Sequence, residues 1–455
     1  MSENTLQLNA RFDRLLVRQH HTSVRYLVVE CTAPSQPEVA EREMPPLNLG
    51  VVIDASGSMG VHDGGGVSGL DLSRLEAAQQ ASEGIAQSLD ERDTLSVVSF
   101  ADKVIVHLSA LSLSDEGKQS ASAAIRALSI RGRTNLHDGW IAGAEQVALH
   151  MEQHPECTNR LLVLTDGLAN LGVVSPQELA RVAANLSMRG ISTSTVGIGA
   201  DYSTDQIEPM AENGGGMLHH TERPSDIIEV VLAELKNMRA TVIDDLEINV
   251  DSMDDGGTGG GASGGVSVEA VGIVGRPAGS GTSAVLGSLV GNATRSAVFR
   301  VHVPADCNEP LRFRVQASWR VEEGRENVQC DVELTPTRDD AVYMEVWNQE
   351  VCTEAARIWQ ADIIKQALDL NRAGDYYGAR NLARAQKRYF RHYASRLDVG
   401  EELLQKLERA LRRMARPMEE RSRKEISSAM YKEKRGVSDY RTSEAPKAWE
   451  EYLKD

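Results

Sequence analysis

Cysteine is scarce and scattered in this chain. Its 455 residues include five, Cys31, Cys157, Cys307, Cys330 and Cys352, an odd number with no C-x-x-C spacing. That argues against a disulfide framework or a zinc cluster and for a reducing compartment, so a cytoplasmic location is expected. Aromatic residues make up only 4%, a poor supply of stacking surfaces for single-stranded nucleic acid. No apolar run approaches the ~18 residues that a membrane helix requires. The first thirty residues carry Glu3, Arg11, Asp13, Arg14 and Arg18 without an apolar core, which argues against a secretory leader. Motifs of common enzymes are missing too. There is no G-x-x-x-x-G-K-[ST] for an intrinsic nucleotidase and no H-E-x-x-H for a zinc peptidase. One G-x-S-x-G match, around Ser263, lies inside a Gly-rich insert and lacks the strand-turn-helix setting of a nucleophile turn.

Positive charge is also in deficit, and unevenly so. Lys and Arg number 49 against 66 Asp and Glu, a net charge of −17. Residues 380–441 hold 18 basic and 9 acidic residues, so the rest of the chain carries −26. The acidic body should repel nucleic acid and anionic membranes. The basic segment could dock on that body, meet an acidic partner or be solvated helix surface.

With 41% hydrophobic and 25% charged residues, the composition is that of an ordinary globular chain. Residues 1–45 read as β-strands, "DRLLVRQ" and "SVRYLVVECTAP", split at His20-His21. Over 46–239 the pattern becomes apolar strands alternating with amphipathic helix-length segments. "LNLGVVID" and "RLLVLTDG" are continuous apolar runs, as strands buried on both faces require. "DTLSVVSF" and "KVIVHLSAL" read as a hairpin. The fold class expected for this region is α/β, with a doubly wound, mostly parallel sheet. Residues 240–346 return to short β-runs typical of a sandwich. The predicted architecture is therefore an α/β domain inserted in a β-sandwich to which 1–45 contributes. The insert "GGTGGGASGG" (256–265) reads as a hairpin tip; Asp251, Asp254 and Asp255 before it miss calcium-loop spacing. Residues 347–416 read as a helical bundle, and 417–455 as a polar, partly disordered tail.

The residues that carry chemistry lie where the central strands end. "LNLGVVID" runs into "DASGS", placing Asp54, Ser56 and Ser58 at alternate positions in the turn. "GRTNLHDG" supplies Thr134 before a helix, and "LLVLTDG" supplies Asp166 at the end of the next buried strand. Ligands of open α/β sheets bind outside the carboxyl ends of the strands. Every donor in this set is a hard oxygen, and three are neutral hydroxyls. That suits Mg²⁺, with Mn²⁺ or Ca²⁺ as alternatives, and not zinc or copper. Asp138 reads as a helix-start charge and His137 as a rim residue. His62 and Asp63 lie in the loop after the turn. The pairs His20-His21 and His219-His220 lack carboxylate company at metal-ligand spacing in the sequence.

In this motif set, residues 46–238 resemble the von Willebrand factor A (vWA) family and its metal-ion-dependent adhesion site. The resemblance implies that Ser56, Ser58 and Thr134 coordinate the cation directly, while Asp54 and Asp166 hold it mainly through water. It also implies an open coordination position that takes a Glu or Asp carboxylate from a protein partner. The flanking segments resemble intracellular bacterial vWA proteins related to inter-alpha-trypsin-inhibitor heavy chains and to calcium-activated chloride channel homologues. Family members often serve as adaptors, so the expectation is a non-catalytic interaction protein acting in an AAA+ ATPase, signalling or defence complex. The rival readings are a Mg²⁺-dependent hydrolase at the same metal and a nucleic-acid-associated factor acting through the basic 380–441 region.

Overall fold

A computed structural model of the chain describes residues 5–35, 45–62, 72–166, 169–199, 204–221, 224–253, 265–273, 275–278, 281–305, 307–321 and 324–434. The chain forms two compact units, one of residues 36–245 and one of residues 1–35 with 246–455.

Three strands come first: β1 (Gln7–Phe12), β2 (Leu16–Arg18) and β3 (Ser23–Thr32). The unit of residues 36–245 then builds a six-stranded sheet. Its strands are β4 (Leu47–Asp54), β5 (Thr94–Phe100), β6 (Val104–Ser112), β7 (Thr158–Thr165), β8 (Ile191–Ile198) and β9 (Gly215–Thr221). They lie in the order β6-β5-β4-β7-β8-β9. All pairings are parallel except that of β5 with β6, the hairpin expected from the sequence. The chain leaves β4 for β5 on one side and returns to β7 on the other, so the topological switch point lies at the ends of β4 and β7.

The helices of this unit are α1 (Arg74–Ser88), α2 (Asp115–Arg126), α3 (Leu136–Met151), α4 (Pro176–Met188), α5 (Thr204–Asn213) and α6 (Pro224–Arg239). Every residue of β4 is buried, and alternation divides its side chains between two helical layers. Leu49, Val51 and Ile53 join a core with Ala78, Ile85 and Val231 from α1 and α6. The opposite face meets α3 at unusually close range. A Cβ on Gly143 of α3 would stand 2.3 Å from Val52 Cγ2, and one on Gly50 would stand 2.8 Å from Val147 Cγ2. Only residues without side chains let this helix lie so near the central strand.

The other unit continues with β10 (Thr241–Ser252), which belongs to it from Leu246 onward, β11 (Ser267–Val271), β12 (Gly275–Ala278), β13 (Gly281–Val290), β14 (Thr294–Val303), β15 (Leu311–Val321) and β16 (Gly324–Thr337). Its two sheets have the orders β1-β3-β14-β11 and β12-β13-β10-β15-β16-β2. The N-terminal strands are integral to both, since β3 pairs with β14 in register Val28 to Val298, and β2 pairs with β16. Phe12 of β1 meets Phe313 of β15 edge to face at 5.6 Å between ring centroids.

Helices α7 (Asp339–Met344), α8 (Gln349–Arg372), α9 (Tyr376–Ala394), α10 (Gly400–Met414) and α11 (Glu420–Lys434) complete the unit. Tyr26, Val28 and Val298 share a core with Val351, Ala355, Trp359 and Ile363 of α8. The four-stranded sheet thus has helices across one face.

The polar segment after Pro417 differs from its reading as a tail. Residues Glu420–Lys434 are helical, and Ile426 and Met430, one turn apart, are buried in the α8 core. Residues 435–455 and most of the Gly-rich insert, including Ser263, lie outside the described residues. Among the described residues, no helix is long and apolar enough to cross a membrane.

Candidate metal centre

The turn after β4 is held in place by backbone hydrogen bonds before any ligand is considered. Ala55 N–H donates to Phe100 O at 2.8 Å, at the end of β5. Arg131 N–H donates to Ala55 O at 2.7 Å, and Gly57 N–H donates to Gly132 O at 3.1 Å. These bonds bring the 131–135 loop, and Thr134 with it, against the Asp54–Ser58 turn. A second pair fixes that loop from the far side: Asn170 N–H donates to Thr134 O at 3.1 Å, and Thr134 N–H donates to Asn170 Oδ1 at 3.3 Å. Asp166 follows β7 directly.

The hydrogen bonds divide the five residues into two groups. Both oxygens of Asp54 are occupied, Oδ1 by Ser56 N–H at 2.8 Å and Oδ2 by the Thr165 hydroxyl at 2.6 Å. Burial pushes the Asp54 carboxyl up to about 6, and these hydrogen bonds only partly offset it. Asp166 likewise has a donor on each oxygen. Its Oδ1 accepts from the Ser58 hydroxyl at 2.7 Å, and its Oδ2 accepts from Arg74 at 2.7 Å. The three hydroxyls are differently placed. Ser56 Oγ and Ser58 Oγ are 3.2 Å apart. The Thr134 hydroxyl has no hydrogen-bond partner among the described residues, although the residue is 4% exposed.

This donor set fits a small hard cation. An octahedral ion with oxygens at 2.0–2.1 Å sets neighbouring ligands about 3.0 Å apart, close to the spacing of the two serine oxygens. A neutral hydroxyl bound to a cation also needs an acceptor for its proton, and Asp166 fills that role for Ser58. Among the described residues, no group of three or more His, Cys, Asp and Glu could hold a metal ion; this set contains only two carboxylates.

Sequence reasoning missed two members of the site. Thr165 is the residue before Asp166 in the "TDG" run, and its position at the strand end was the available signal. Arg74 gave none, since it reads as an ordinary polar residue at a helix start. In the structure it opens α1 beneath a capping box formed by Ser73 and Glu76. Its side chain is 5% exposed and faces a fully buried Asp166 carboxylate. Gly199, at φ +76°, leaves room for it, because a Cβ there would lie 2.6 Å from the guanidinium.

The other residues singled out in the sequence resolve differently. Asp138 accepts from Asn135 Nδ2 at 2.7 Å at the start of α3 and lies 3.0 Å from His137 Nδ1, so the pair belongs to the helix cap. His20 and His21 are exposed at the β2–β3 turn. His219 has the carboxylate company that the sequence did not reveal, with Nε2 2.9 Å from the buried Glu234 of α6. Ser194 donates to the other oxygen of Glu234 at 2.6 Å. Because the serine donates to the carboxylate and not to the imidazole, this arrangement does not activate a nucleophile. His62 is exposed, and Asp63 lies outside the described residues.

A family model, "von Willebrand factor type A domain", matches residues 48–233. Among curated proteins, the chain is 27% identical over 210 residues to YfbK of Escherichia coli (strain K12), covering 46% of this chain and 34% of that protein. It is 27% identical over 187 residues to inter-alpha-trypsin inhibitor heavy chain H3 of Homo sapiens, covering 40% of this chain and 20% of that one. The chain thus spans about a third or less of these two relatives. Among solved structures, it is similar to a von Willebrand factor type A protein from Catenulispora acidiphila, with a TM-score of 0.63 and 18% identity over 81% of this chain and 82% of that one. It is also similar to the ArnB paralog VWA2 from Sulfolobus acidocaldarius, with a TM-score of 0.58 and 13% identity over 94% and 99% of the two chains. At these identities the likeness is one of fold.

Proposed function

Residues 48–233 of the chain are a von Willebrand factor type A domain, and from that premise we propose that the protein is a non-catalytic adaptor whose metal site captures an acidic side chain of a protein partner. Domains of this type generally mediate protein–protein interactions. In this reading Ser56, Ser58 and Thr134 hold Mg²⁺ directly. Asp54 and Asp166 orient its waters. A bound Mg²⁺ supplies Lewis acidity and an exchangeable coordination position.

The observation that carries the reading is the charge count. Asp54 and Asp166 bring two negative charges, but Arg74 neutralises one of them from inside the site. One net negative charge faces a dication, and every carboxylate oxygen is already hydrogen bonded. The loaded site keeps a surplus positive charge. A Glu or Asp from another chain neutralises it. The five cysteines, none of them in a disulfide, support a reducing, cytoplasmic setting, and an AAA+ ATPase, signalling or defence complex is the proposed context.

The test is affinity capture with the full chain in Mg²⁺ and in EDTA, beside the Ser56→Ala/Ser58→Ala variant. The adaptor reading expects a partner retained only by wild type in Mg²⁺. Metal-dependent turnover of phosphoesters or peptides without any partner, together with capture indifferent to EDTA, would replace it with the hydrolase.

A further inference from the structure

The helical layer contains a charged concavity, in the unit that does not hold the metal site. A cavity of about 870 Å³ opens where α9, α10 and the start of α11 meet. Five arginines line it: Arg380 from α9, Arg409, Arg412 and Arg413 from α10, and Arg416 from the following turn. Among the described residues, Glu419 is the one acidic residue of the lining, so the described part of the wall carries four net positive charges. Two basic residues in the last turn of α10 would suffice to offset its helix dipole; five exceed that role.

The wall is held in shape by a buried polar residue. Asn371 of α8 is fully buried and donates through Nδ2 to Met414 O at 2.7 Å and Arg416 O at 2.6 Å. Arg423 of α11 donates to Asn371 Oδ1 at 2.9 Å. Arg380 forks onto Ala415 O at 3.1 and 3.3 Å, and Arg413 donates to Ser422 Oγ at 3.3 Å. The turn between α10 and α11 is therefore tied to three helices, with arginines projecting from it.

Three of these arginines have no carboxylate partner among the described residues. Arg412 reaches Glu408 at 3.2 Å, but that carboxylate is already shared with Lys387 at 2.7 Å and Arg391 at 2.9 Å. Among the described residues, Arg380, Arg409 and Arg416 have no carboxylate within ion-pair distance. Each guanidinium offers about five N–H donors in a planar fork suited to phosphate. The first turn of α11 adds the positive end of a 15-residue helix.

We propose that this cavity is a binding site for a compact polyphosphate anion. Only closely spaced phosphate groups offer enough acceptors and charge for so many forks in so small a volume. An acidic peptide brings one charge per residue and spreads it along about 3.3–3.6 Å of chain each. Among the described residues, no aromatic residue lines the cavity, so none of them stacks on a base, and a long nucleic acid would also meet the net charge of −17. Inorganic polyphosphate, a nucleoside triphosphate and an inositol polyphosphate share the required chemistry.

Calorimetric titration of the full chain with tripolyphosphate, in EDTA and at about 0.15 M salt, tests the site. ATP and inositol hexakisphosphate serve as parallel ligands. Saturable one-to-one binding is expected for at least tripolyphosphate. The ligand that binds most tightly identifies the source of the phosphates. Arg409→Gln/Arg416→Gln changes two exposed side chains and should weaken binding at least tenfold with the melting temperature unchanged. Arg409→Lys/Arg416→Lys keeps the charge, loses the forks and should fall between. Absence of saturable binding, equal binding by the Gln variant, or tighter binding of a poly-glutamate peptide or a single-stranded oligonucleotide would overturn the proposal.

Discussion

Replacing Arg74 with methionine should tighten Mg²⁺ binding while destabilising the metal-free protein. The guanidinium lies 2.7 Å from Asp166 Oδ2, and the two side chains are 5% and 0% exposed. A dication held through water on the far oxygen of Asp166 stands roughly 6 Å from that charge. The repulsion is then about 1.4 kcal/mol at a dielectric constant of 80 and about 5.5 kcal/mol at 20. The lower figure already predicts an affinity gain of about tenfold. Without metal, the variant leaves Asp166 buried and unpaired, a loss of about 3–5 kcal/mol. Its melting temperature should therefore fall in EDTA and recover more in Mg²⁺ than that of wild type. Arg74→Lys keeps the charge and should bind Mg²⁺ much as wild type does. Calorimetric Mg²⁺ titration at low temperature, with thermal melts in both conditions, reads both effects. A folded Arg74→Met protein with unchanged or weaker Mg²⁺ affinity would refute the idea that Arg74 offsets the charge of the site.

Other expectations follow from single contacts. Thr134→Ala removes a hydroxyl from the proposed direct ligands and should weaken partner capture by pull-down, while Ser56 and Ser58 preserve metal binding by calorimetry. Gly143→Ala sets a Cβ 2.3 Å from Val52 Cγ2 and should cost about 1–3 kcal/mol in chemical denaturation, because a close-packed helix–strand contact must open. Lys387, Arg391 and Arg412 hold the Glu408 carboxyl down to about 2. Its contribution to stability is present above the ordinary value near 4.5 and is lost as pH falls through about 2. Glu408→Gln should therefore remove part of the acid sensitivity between those values, by less than about 1 kcal/mol for so exposed a cluster, as measured by denaturant titration at each pH.

The legible parts of this fold were those written in adjacent residues. "LNLGVVID" and "LLVLTDG" reveal buried parallel strands because both faces must be apolar, and the polar residues that end them mark the switch point. Asp54, Ser56 and Ser58 share one turn and could be read together. Arg74 could not, because its partner Asp166 is 92 residues away and arginine ordinarily marks a surface. The Glu234 partner of His219 was hidden for the same reason, since it belongs to a different element. Helix α11 escaped because Ile426, Ala429 and Met430 are a short apolar stretch within an otherwise polar segment, too short a stripe to set a period. Tertiary burial against α8 decides that helix, and no local pattern encodes it.

The central claim is that the hydroxyls at the end of β4 hold a divalent cation. Calorimetric titration of Mg²⁺ into the full chain, beside Ser56→Ala/Ser58→Ala, tests it most directly. The account predicts one saturable site in wild type and none in the double variant, with both proteins folded in EDTA at the titration temperature. Equal Mg²⁺ binding by the two proteins, or no binding by wild type, would contradict it.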